Sequence, residues 1–152
     1  MIGGSITKIR IWPGLVVAVC SISIGCRSVS GIELEGKWVA KKPLDSSLPS
    51  ELQSSSPHLD LETDGSFVAV DFPGLLGAPP SNAHRDGGSG RWSIISIDGS
   101  QQLQLIFTKS TNKKVGLPYG AHLDLAGHLS STELYYFIGD PDEGVMVSLQ
   151  KE

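Results

Sequence analysis

Apolar and polar residues alternate with a period of two over much of the chain beyond residue 35, the spacing of strands that bury one face. His58-Leu59-Asp60-Leu61-Glu62 alternates in this way, Asp64-Gly65 follows, and Phe67-Val68-Ala69-Val70-Asp71-Phe72 resumes the pattern. Asp-Gly between two alternating runs is the strongest short-range signal for a β-hairpin. The device recurs where Arg91–Ile97 meets Gln102–Phe107 across Asp98-Gly99-Ser100. Leu103, Leu105 and Phe107 then share one face, with Gln102 and Gln104 on the other. Gly36–Lys41 supplies a first strand, and Ala121–Leu125, Glu133–Ile138 and Val145–Gln150 supply three more. The chain beyond residue 35 contains no long helical pattern; a single turn at Pro49-Ser50-Glu51-Leu52 is the best helical candidate. About eight short strands in sequential order imply an all-β domain. A small antiparallel up-and-down barrel is the simplest closure, with a β-sandwich as the alternative.

Two connections are long. Lys42–Pro57 is rich in serine and proline, and Pro73–Ser89 is rich in glycine and proline and carries Leu75 and Leu76. Their composition favours mobile surface loops, and a lid over a barrel mouth is the sharper alternative.

The amino end obeys different rules. Lys8 and Arg10 precede an apolar run from Ile11 to Ile24, which closes in Ser23-Ile24-Gly25-Cys26. A basic head, a short apolar stretch and a small residue at the cut make a secretory signal. The 14-residue run is shorter than the roughly 20 residues a spanning helix needs, and Pro13 and Gly14 interrupt its start. A cysteine directly after the cut resembles the lipobox of bacterial lipoproteins, although Ser23 stands where an aliphatic residue is usual. Cys20 follows valine and is the poorer cleavage site. The expected organisation is a signal peptide at 1–25, a lipidated cysteine and tether at 26–34, and a barrel domain at 35–152.

That organisation removes several chemistries. The chain has two cysteines; Cys20 leaves with the signal and Cys26 is acylated, so thiol catalysis, thiolate metal sites and disulfides are lost together. The precursor carries 12 basic and 16 acidic residues. The signal takes two basic residues and no acid, leaving 10 against 16, a balance of −6. A net-acidic domain with no basic stripe is a poor binder of nucleic acid and a poor candidate for polybasic adhesion to lipid. Membrane attachment therefore rests on the acyl chains, each buried methylene contributing about 0.8 kcal/mol.

Gly36-Lys37-Trp38 and Gly90-Arg91-Trp92 both open strands, Asp64-Gly65-Ser66-Phe67 forms a hairpin, and the carboxyl end contains Tyr136-Phe137-Ile138-Gly139-Asp140-Pro141-Asp142. In this running order the chain resembles a family of small, uncharacterised bacterial lipoproteins, and the likeness covers most of residues 35–150. Its signature positions here are Gly36, Trp38, Asp64, Gly65, Gly90, Trp92, Gly139, Asp140, Pro141 and Asp142. More distantly, Gly-x-Trp in the first strand resembles lipocalin and calycin barrels, in which the tryptophan closes one end. The resemblance implies a cell-envelope address. Arg27 rather than aspartate after the cysteine points to the outer membrane in double-membrane bacteria. Neither family supplies catalytic residues.

The remaining motifs have plain readings. Gly139–Gly144 has the residues of a tight turn, and its three carboxylates are too few for an EF-hand. His58-Leu59-Asp60-Leu61 recurs as His122-Leu123-Asp124-Leu125; zinc binding would require the two strands to be neighbours, and a solvated outer face is the simpler expectation. His84 and His128 add little to a metal reading. No Gly-x-Ser-x-Gly or His-Glu-x-x-His occurs, and Ser110–Lys113 matches Ser-x-x-Lys only in a loop. No enzyme, metal or cofactor is expected. Trp92, Tyr119, Tyr135, Tyr136 and Phe137 are the aromatics that would line a cavity or fill it. Two roles follow. The first is a non-catalytic binding module for a small apolar ligand, with Trp38 and Trp92 buried beside an open lumen. The alternative is a protein-interaction lipoprotein, an envelope assembly factor or inhibitor, with a filled barrel and an apolar patch at Leu75, Leu76 and the long loops.

Overall fold

A computed structural model describes residues 31–75, 84–128 and 131–152. The apolar run at Ile11–Ile24, Cys26 and Leu76 lie outside the described residues. Eight antiparallel strands close into an up-and-down barrel in sequential order. They are β1 (Gly36–Ala40), β2 (His58–Leu61), β3 (Ser66–Pro73), β4 (Arg85–Ile97), β5 (Ser100–Ser110), β6 (Tyr119–His128), β7 (Ser131–Phe137) and β8 (Met146–Lys151). Closure runs through Trp38↔Lys151, Val39↔Gln150 and Ala40↔Leu149, so the sheet keeps no free edge and the sandwich alternative is set aside.

The two-residue period decides what the barrel contains. Trp38, Leu59, Leu61, Phe67, Leu103, Leu105, Phe107, Leu123, Leu134, Tyr136, Val147 and Leu149 belong to one buried cluster. Phe67 and Phe107 meet edge-to-face inside it, with ring centroids 4.8 Å apart. An eight-stranded barrel is about the size that side chains can fill, and here they do.

Both ends are covered by the chain itself. At the lower end, where β1 starts, α1 (Gly31–Leu34) folds against the barrel. Leu34 is fully buried and its carbonyl accepts a 2.7 Å hydrogen bond from Trp38 Nε1. Gly31–Leu34, expected as part of a tether, are thus packed against the barrel. At the upper end, residues 42–57 contain α2 (Ser50–Gln53) and bury Leu44, Leu48 and Leu52 in the same core. The expected mobile loop is thus a packed cover. Leu75 is likewise buried, which corrects its assignment to an exposed apolar patch. Arg85 ties the cover down: Nη1 bonds Asp71 Oδ1 at 3.2 Å, and Nη2 donates to the Glu51 carbonyl and to Ser54 Oγ, each at 2.6 Å. Asp71 Oδ2 also accepts from the Ser56 amide.

The turns follow their residues. Asp98 and Gly99 both have positive φ, 50° and 82°, the two-residue hairpin turn whose twist matches the strands. At the other hairpin Asp64 Oδ1 accepts from the Ser66 amide at 2.7 Å, and hydrogen bonding to Ser66, its hydroxyl first and its amide second, lowers the carboxyl pKa. Gly139–Gly144 is the expected tight turn, with a 3-10 segment at Pro141–Glu143 entered through Asp140. Asp140 Oδ1 accepts from the Asp142 amide at 3.0 Å, and Gly144 exits left-handed.

Strand β4 begins six residues before the run the alternation marks. Asp86-Gly87-Gly88-Ser89-Gly90 spans two register shifts, one against β3 between Ala69 and Phe72 and one against β5 between Ser89 and Gly90. Asp71, within the first, has φ 61°. Bulges on both sides sharpen the bend of this wall.

Tyr136 gives a pH test of the upper end. Its hydroxyl donates to the Pro73 carbonyl at 2.9 Å. Burial, and secondarily the charge of Asp86, push the phenol well above its usual pKa. The folded state thus favours the protonated phenol, so this contribution to stability is complete below pH about 10 and is lost as pH rises toward the folded value. Tyr136→Phe is expected to cost about 1–2 kcal/mol at neutral pH by leaving the Pro73 carbonyl unpaired. Thermal melts should show the variant losing less stability than wild type above pH about 10. Parallel curves would contradict the assignment.

Candidate functional site on the outer wall

With the interior filled, the outward positions carry what the domain presents. On β1–β3 the register aligns Val39, His58 and Val70 in one row, and Lys37, Asp60 and Val68 in the next. Val68 and Val70 are 45% and 38% exposed, while their neighbours Phe67 and Ala69 are buried. The two exposed valines form a short apolar strip along β3, flanked by His58 and Asp60 on β2, with half-buried Val39 on the far side of His58.

A cleft of about 300 Å³ opens beside this strip, lined by Lys37, Val39, Ala40, Lys42, Ser56, Pro57 and His58. Pro57 is buried and stiffens its floor, and the α2 cover forms its upper rim. Lys42 Nζ donates to the Ser55 carbonyl. Lys37 pairs with Glu152, whose hydrogen bond and then charge raise the lysine pKa. A second cleft of about 460 Å³ lies across β1 and includes Lys41, Glu133, Gln150 and Lys151. There Lys41 pairs with Glu133, and Lys151 Nζ reaches the Glu33 carbonyl at 3.1 Å. Each cleft mixes charged side chains with apolar ones, Val39, Ala40 and Pro57 in the first and Trp38 in the second.

The aromatics divide between the two faces. Tyr136 is buried, and Trp92 and Tyr119 are partly buried against the core. Tyr135 and Phe137 stand on the outer wall, edge-to-face at 5.9 Å, with exposed Met146 paired to Phe137. Trp38 is buried as expected. Trp92 is half-buried at the lower end, where Nε1 donates to the Glu62 carbonyl at 3.0 Å. Of the signature residues, Gly36, Trp38 and Trp92 sit at the lower end, and Asp64, Gly65 and Gly139–Asp142 form turns. Gly90 allows the β4–β5 contact. Cys26 lies outside the described residues.

The repeated His-x-Asp pairs do not meet. They occupy β2 and β6, four strands apart in the closed order and so on opposite sides of the barrel. His58 and Asp60 face outward beside the valine strip. Asp124 accepts from Gln102 Nε2 at 2.7 Å, and Gln104 Nε2 lies 3.2 Å from His122 Nε2. His84 is exposed, and the side chain of His128 is outside the described set. Among the described residues no group of three His, Cys, Asp or Glu side chains could hold a metal ion, and no helix is long and apolar enough to cross a membrane.

Comparison with protein families, with curated proteins and with solved structures returned no match. Val39, Val68 and Val70 are the site residues that motif reading passed over. Their signal was their parity, Val39 opposite Trp38, and Val68 and Val70 opposite Phe67 and Ala69.

Proposed function

We propose that this chain is a bacterial lipoprotein, acylated at Cys26 and held at the outer membrane, whose barrel is a non-catalytic protein-interaction module. One observation carries the reading: the barrel interior is occupied by its own side chains and both ends are covered, leaving recognition to the outer wall. The same packing takes support away from a lumen that holds a small apolar ligand. The Val68 and Val70 strip, with the Val39 cleft across His58 from it, is the contact surface, since apolar residues with a charged rim are the usual plan of such interfaces.

A photo-crosslinking residue at Val68 in the full-length protein, activated in its own membranes, tests this. A discrete adduct is expected from position 68 and none from His122 on the opposite wall. Val70→Lys should abolish the adduct while changing stability by no more than about 0.5 kcal/mol, because the site is on the surface. No adduct, or equal adducts from both positions, would overturn the proposal. Mass analysis of the mature amino-terminal peptide, with and without Cys26→Ser, tests the anchor separately.

A further inference from the structure

We infer that the tip of the β4–β5 hairpin is a second membrane contact, resting on the lipid headgroups beside the acyl anchor; this depends on the acylation of Cys26 proposed above. The first ground is where the chain leaves the barrel. Gly31 lies so close to Trp92 that a Cβ added to it would stand 3.6 Å from the indole ring. Cys26 is five residues earlier, and five residues reach at most about 18 Å even when fully extended. The anchor therefore holds the Trp92 end of the barrel toward the bilayer and turns the α2 cover away from it.

The second ground is the shape of the hairpin. Pairing of β3 with β4 ends at Ser66↔Arg91, and pairing of β5 with β6 ends at Gln102↔Asp124. The β4–β5 ladder itself runs on to Ile97↔Ser100. Ser93–Ile97 thus continue past the β3 register by roughly 17 Å at about 3.4 Å per residue.

The third ground is composition. From Trp92 to Thr108, Asp98 is the only charged residue in a net-acidic chain. Ile97 is 42% exposed and Ile95 is half-buried on the outward face, while Trp92 packs against the core at the base of the projection. Isoleucines beside serine and glutamine suit the boundary between headgroups and acyl chains, and the Asp98 carboxylate at the turn limits the depth. The contact is apolar, so it needs no basic patch.

The lipidated protein contains two tryptophans once the segment carrying Trp12 is removed, Trp38 in the core and Trp92 at the hairpin. It is placed on vesicles of phosphatidylethanolamine and phosphatidylglycerol with brominated acyl chains, and tryptophan emission and co-sedimentation are read together. An Ile97→Trp, Trp92→Phe variant places the indole at the tip, and its emission is expected to be quenched, with the quenching lost when Ile95→Asp is added in protein that still sediments. Sedimentation of the Ile97→Trp protein without quenching, or equal quenching with Ile95→Asp added, would overturn the hairpin contact and leave the anchor standing. Failure of the wild type to sediment would overturn both.

Discussion

Replacing Gly90 with alanine is expected to destabilise the barrel by about 3 kcal/mol, with the loss concentrated in the β4–β5 ladder. A Cβ at this position would stand 1.9 Å from the Ile106 carbonyl oxygen and 3.0 Å from the Phe107 Cα. Both obstacles are backbone, so no rotamer change relieves them. The two strands would have to separate at the bulge, where Phe107 is a fully buried member of the core. Gly116, with open space around the same added atom, is the control: Gly116→Ala should change stability by no more than about 0.5 kcal/mol. Denaturant titration of the two variants checks the contrast. Equal midpoints would mean that the strands do not approach as described.

Trp38→Ala should be costlier still, about 3–5 kcal/mol, because it removes a large buried side chain and leaves a void. It also removes the donor to the Leu34 carbonyl, the hydrogen bond that holds α1 against the lower end. The loss therefore has two readouts. The unfolding midpoint falls, and amides around α1 and the start of β1 exchange faster than those of β5. Trp38→Phe separates the two causes, retaining most of the volume while deleting the indole N–H; it is expected to cost about 1–2 kcal/mol.

The barrel was legible wherever side chains alternate. His58–Leu61, Phe67–Phe72 and Gln102–Phe107 placed their strands, and the two Asp-Gly pairs placed the hairpins. It was illegible where that signal has no carrier. Glycines 87, 88 and 90 have no side chains to alternate, and two bulges break the register around them, so β4 reads as loop until Arg91. Gly31–Leu34 is too short to show a helical period, and what holds it is a contact with Trp38 from outside the segment. The α2 cover did carry a signal, since Leu44, Leu48 and Leu52 recur every four residues within a serine- and proline-rich stretch. Composition described that segment as surface, while its three leucines, Ser55 and Pro57 are all buried.

The candidate site was half legible for a related reason. Parity alone places Val68 and Val70 on the face opposite Phe67 and Ala69, and β-branched residues on a solvated face leave an apolar strip. The cleft beside it joins β1 to residues 56–58, and that juxtaposition depends on register and on the packed α2 cover. Sequence spacing does not contain it. The aromatic residues illustrate the same limit, because Tyr135 and Tyr136 are adjacent in sequence yet only Tyr136 is in the core.

The central claim is a filled barrel that works from its outer surface, and titration of the protein with a fluorescent apolar probe tests it most directly. A packed interior gives no saturable binding and no rise in melting temperature in the wild type, while Trp38→Ala, with a void opened at the lower end, gains both. Saturable, stabilising binding by the wild type, abolished when Leu105→Phe adds bulk to the interior, would contradict the claim and restore an internal ligand site.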